Sequence, residues 1–63
     1  MNFAKARKAA GLTVAEAARR LGVTSAAICQ WESGKTFPEG KRLVEIAKVY
    51  GITVDELSVG EGA

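Results

Sequence analysis

The sequence predicts an all-α domain of five short helices. Three observations carry that reading. Gly11, Gly22, Gly34 and Gly51 cut the chain into short pieces, each able to end a helix by taking positive φ. Thr13-Val14-Ala15-Glu16 and Thr53-Val54-Asp55-Glu56 both read as capping boxes, with Thr at the N-cap and Glu three residues on. No segment has a convincing strand pattern: Gly51-Ile52-Thr53-Val54 is the one β-like run, and the second capping box competes for it.

The elements follow in order. Asn2 is an acceptable N-cap for a first helix in which Phe3, Ala6 and Ala10 share a face, ended by Gly11. Thr13 opens a second helix through Ala17, Ala18 and Leu21 to Gly22. Thr24 caps a third, Ser25 to about Ser33, ended by Gly34. The loop Lys35-Thr36-Phe37-Pro38 follows, because the residue before a proline is pushed out of helical conformation. A fourth helix is expected over 39–50, with Leu43, Ile46, Ala47 and Tyr50 on one face. The second capping box starts a last turn or two reaching Leu57. Residues 1–57 are thus read as one domain. Residues 58–63 are read as a flexible tail, with two Gly and no apolar anchor beyond Val59.

At 63 residues the chain fits a single domain. So small a fold buries only about 60% of the surface its unfolded chain exposes. One Cys excludes an intrachain disulfide, and the lack of His argues against zinc, so self-association is the aid left to a marginal core. No cofactor, metal or small-molecule ligand is expected. The lack of His also removes the commonest general base, and so short a chain has little room for a deep cleft. An enzyme is therefore not expected. There is no apolar run long enough to span a membrane and no signal-peptide pattern at the N-terminus, which makes the cytoplasm the default location.

Charge is unevenly placed. The net +2 divides into eight bases against three acids in residues 1–42 (+5) and one base against four acids in residues 43–63 (−3). A basic part beside an acidic part suggests that one side meets a polyanion.

Only Gly22-Val23-Thr24 joins the second and third helices, which forces a sharp crossing. Ala17, Leu21, Val23, Ile28 and Trp31 are apolar where they would face a core, and Ala18 is small where the helices approach. The other face of the third helix carries Ser25, Ala26, Cys29, Gln30 and Ser33, with no charge at all. A solvated helix face ordinarily carries Lys and Glu; an uncharged face of small polar groups suits contact with base edges.

Ala18-x3-Gly22-x5-Ile28, then Trp31-Glu32-x-Gly34 and Pro38, resembles the lambda-repressor-like helix-turn-helix family, also called the xenobiotic-response-element or Cro/repressor family. The resemblance runs from about Phe3 to Leu57. Ala27-Ile28-Cys29-Gln30-Trp31-Glu32 with Pro38-x-Gly40 is especially similar to the DNA-binding domains of lambdoid phage repressors. It implies a compact five-helix domain that binds operator DNA as a dimer, with the third helix in the major groove.

By that resemblance Ser25, Ala26, Cys29 and Gln30 are the candidates for base contact. Gln30 can pair bidentately with adenine, and the Ala26 methyl can meet a thymine methyl. Val14, Thr24, Lys35 and Thr36 are the candidates for phosphate contact. Val14 stands where the family often has Gln, so only its backbone amide can serve, at a helix N-terminus. Arg7 and Glu32 match positions that pair in related phage repressors.

Other residues have blander readings. Trp31 is expected in the core. Phe37 is expected to pack on the fourth helix, exposure near DNA or a partner being the other reading. Cys29 reads as a small side chain on a reading face and not as a redox sensor. Arg19 and Arg20 form either a solvated face or a phosphate contact. Lys41 and Arg42 open the fourth helix, where cations oppose the dipole, which hints at phosphate or dimer contact. Val54, Leu57 and Val59 either close the core or serve a dimer.

The expected function is sequence-specific DNA binding by a transcriptional regulator, a Cro-like repressor of phage or bacterial type. It would act as a homodimer on a palindromic double-stranded operator, occluding a promoter because the length leaves no room for a sensor domain. Its place is the cytoplasm, at the nucleoid or in a phage's host. The other class of reading is a protein-interaction module on the same fold, such as an antitoxin or a phage protein that sequesters a host factor. Met1 and the weak tail fit a complete small protein, with an excised domain of a longer regulator as the alternative.

Overall fold

A computed structural model of the chain describes residues 1–58. It contains α1 (Phe3–Ala9), α2 (Val14–Leu21), α3 (Ser25–Ser33), α4 (Gly40–Tyr50) and α5 (Val54–Ser58), and no strand among the described residues. Ser58, expected to open the tail, instead ends α5; the rest of that expected tail, and Val59 as a dimer residue, lie outside the described residues.

Local chemistry sets most boundaries. Both capping boxes form. Thr13 Oγ1 accepts from Glu16 N–H at 3.1 Å while Glu16 Oε1 accepts from Thr13 N–H at 2.9 Å. Thr53 and Glu56 do the same, each at 3.0 Å. Asn2 departs from expectation. Its side chain makes no cap bond to α1, and its backbone N–H donates to the Leu57 carbonyl at 3.1 Å, tying the chain start to α5. That backbone bond holds Asn2 at φ −105° and ψ 52°, away from the extended geometry that a side-chain cap needs.

The core gathers one face of every helix. Ile28, Ile46 and Leu57 are its largest fully buried side chains, each contributing about 1.5–3 kcal/mol by leaving water. Ala17 and Ala18 are buried on α2, where methyl side chains let the helix approach its neighbours closely. Trp31 is half-buried against this core, its ring 6.5 Å from that of Phe3. Phe37 is not packed away as expected: it is 63% exposed, its ring in an edge-type contact with that of Phe3 at 6.2 Å between centroids. The buried Pro38 ends the loop, and Glu39 occupies the N-cap position of α4.

Candidate nucleic-acid interface

The unit formed by α2 and α3 is built around its turn. Gly22 takes φ +70°, a conformation that side chains with a Cβ rarely adopt, and Val23 N–H donates back to the Ala18 carbonyl at 3.0 Å. The chain then enters α3 through Thr24, whose Oγ1 accepts from Ala27 N–H at 3.1 Å. The Thr24 hydroxyl is therefore a helix cap, with its own proton left to donate outward.

α3 presents the sequence-predicted residues as two groups. Ser25, Ala26 and Cys29 are exposed on its outer face, and Ser33 ends that face. Gln30 is half-buried, lower on the same surface, and among the described residues no hydrogen bond engages its side-chain amide. Its main chain is busier. The Gln30 carbonyl accepts from Lys35 N–H at 3.0 Å, Thr36 N–H at 3.4 Å and Ser33 Oγ at 3.2 Å, as Gly34 turns the chain at φ +81°. This closure fixes where Lys35 and Thr36 leave the helix, and both are exposed.

Val14, at the first position of α2, is half-buried. Its side chain packs against the core, and its amide is one of those at a helix start with no intrahelical acceptor. The capping box lies at this same helix end. Glu16, hydrogen-bonded to Thr13, is held below its ordinary carboxyl range, first by the bond from the Thr13 backbone amide. The structure therefore brings Ser25, Ala26, Cys29 and Gln30 together on α3, with Thr24 at one end and Lys35 and Thr36 at the other.

Arg7 and Glu32 pair. Nε donates to Oε2 at 2.7 Å and Nη2 to Oε1 at 3.2 Å, while Nη1 donates to the Leu12 carbonyl at 2.9 Å. Both side chains are largely out of solvent. The fork joins α1 and the α1–α2 loop to the last turn of α3. The bond to Glu32 raises the Arg7 pKa above an already high value, so this charge is permanent. Burial pushes the Tyr50 hydroxyl up, keeping it neutral at ordinary pH.

Arg42 has partners that its sequence-based readings did not include. Its Nη1 donates within the chain, to the Leu21 carbonyl at 3.1 Å and to Glu45 Oε1 at 2.8 Å. Sequence reading missed this link; the spacing of Arg42 and Glu45 shows the ion pair, but nothing local shows the Leu21 partner. Arg19, Arg20 and Lys41 are exposed. The described residues contain no cluster of His, Cys, Asp or Glu able to hold a metal ion, and no helix long and apolar enough to cross a membrane.

Comparison with known proteins agrees with this geometry. The helix-turn-helix family model matches residues 3–57. The HTH-type transcriptional activator BcrR of Enterococcus faecalis is 42% identical over 55 residues, which cover 87% of this chain and 27% of that protein. An uncharacterized HTH-type transcriptional regulator of Haemophilus influenzae is 39% identical over 46 residues, 73% of this chain and 19% of that protein. The chain thus spans about a quarter or less of the length of these relatives. No solved structure matches it significantly. With its α2–α3 unit and a family match over residues 3–57, the chain belongs to the Cro/C1-type helix-turn-helix family of transcriptional regulators.

Proposed function

We propose that this chain binds a specific double-stranded operator as a homodimer and represses transcription by occluding a promoter, as a Cro-like regulator of phage or bacterial origin acting in the cytoplasm. The observation that carries the reading is the uncharged, exposed face of α3, flanked by Lys35, in a domain whose first 42 residues carry net +5. Ser25, Ala26, Cys29 and Gln30 contact bases. The Val14 amide, Thr24, Lys35 and Thr36 contact phosphates and set the register.

Selection of bound duplexes from random DNA at moderate salt tests this. The expected result is one enriched half-site, repeated in inverted orientation. Equal affinity for selected and random duplexes would overturn it. The name of the Enterococcus relative, a transcriptional activator, favours a second reading of the regulatory sign. A reporter with the selected site placed over, and then upstream of, the promoter separates the two: repression only in the first arrangement supports occlusion.

A further inference from the structure

Arg42 lies in the first turn of α4, where its charge faces the positive end of its own helix dipole. Nothing within α4 compensates for that except Glu45. The guanidinium instead reaches α2. One nitrogen, Nη1, uses its two hydrogens on two acceptors, the Leu21 carbonyl at 3.1 Å and Glu45 Oε1 at 2.8 Å. Leu21 is the last residue of α2, so its carbonyl is one of those a helix end leaves without an intrahelical donor. That end is also the negative pole, where a cation is favoured. The residue after Leu21 is Gly22, which begins the turn into α3.

We infer that Arg42 is a positioning residue for DNA reading: oriented by Glu45, it bolts α4 to the end of α2 and so fixes the angle at which the turn delivers α3. This rests on the DNA-binding reading above. The role differs from phosphate contact in that both Nη1 hydrogens are spent within the chain. A positioning role also predicts a particular loss. Base discrimination depends on where α3 lies; non-specific attraction to phosphate does not.

The test compares wild type, Arg42→Met and Glu45→Gln on the selected duplex and on random duplexes across a salt series. Amide exchange at Val23, Ala27 and Ile28 is followed alongside. In Arg42→Met the ratio of selected to random affinity should fall roughly tenfold, about the effect of one mismatched base pair. The salt slope should stay unchanged, and exchange at the turn should quicken relative to α1. Glu45→Gln, which weakens the carboxylate's hold on the guanidinium, should shift both readouts in the same direction by less; it decides the matter should Arg42→Met fail to fold. A salt slope lowered by about one unit with discrimination intact would make Arg42 a phosphate contact and overturn the inference. Unchanged discrimination and exchange would overturn it too. Absence of sequence preference in wild type is a separate outcome: it removes the DNA-binding reading itself, and this inference with it.

Discussion

Within α3 and its flanks, the proposed base contacts and phosphate contacts can be told apart by single substitutions. Among the described residues no hydrogen bond engages the Gln30 amide, which is half-buried on the proposed reading surface and of a type that pairs with adenine. Gln30→Ala should cost about 1–3 kcal/mol at a single base position and relax preference there, with the melting curve unchanged. Lys35 is exposed beyond the helix end, a point charge with no base-matching geometry. Lys35→Ala should weaken binding to every duplex alike and lower the salt slope by about one unit; a base-selective loss in quantitative shift assays would refute its phosphate role. Arg7 and Glu32 hold the helix instead of reading with it. Glu32→Ala leaves a buried guanidinium with only the Leu12 carbonyl, and should destabilise the fold by about 3 kcal/mol in urea unfolding. Arg7→Met combined with Glu32→Leu should cost much less than the two single losses together, because no charge is left stranded. The Arg7–Glu32 pair was legible in the sequence only through family resemblance, since 25 residues separate the partners. The Arg42–Leu21 bond was not legible at all: its acceptor is a main-chain carbonyl, which no residue type announces. Phe37 shows the same limit from the other side. A loop aromatic is buried or exposed according to what the remote chain places beneath it, and here the ring meets that of Phe3 yet stays largely exposed.

At the level of elements, helix starts and stops were readable because their chemistry is local. Both capping boxes and Gly22 in the left-handed region follow from residues within a few positions of each other. The failure of Asn2 to cap α1 follows from a bond to α5, more than fifty positions away, which local pattern cannot show. A Cβ added at Gly22 meets nothing within 4 Å, so Gly22→Ala probes backbone conformation alone. It should cost about 1–2 kcal/mol in thermal or urea unfolding, the price of a left-handed residue, without a steric clash. The Glu16 carboxyl is depressed in the fold, so the unfolded chain takes up its proton first as pH falls. Its contribution to α2 is complete above the ordinary carboxyl range. It is lost as pH drops through that range and the depressed value below it. Amide exchange at the start of α2 should therefore quicken on acidification in wild type, and Glu16→Gln should flatten that dependence at this site.

For the whole molecule, size limits what one copy can read. The Cα atoms span 28 × 23 × 21 Å, whereas successive major-groove faces on one side of B-DNA lie about 34 Å apart. One domain can lay one α3 in one groove and cannot present a second reading helix to the next. A net charge of +2 over the whole chain gives weak general attraction to DNA, so affinity for one half-site should be modest. In the proposed homodimer, two copies related by a twofold axis would read an inverted repeat, and contact between them would turn the second binding event into a near-intramolecular one. The half-sites must then lie on the same face of the duplex. Inserting about five base pairs between them, half a helical turn, should abolish cooperative binding, and inserting about ten should restore much of it. Footprinting across a protein titration reads this directly. Cooperativity indifferent to the insertion would mean that the two copies bind independently, and that each domain recognises its half-site alone.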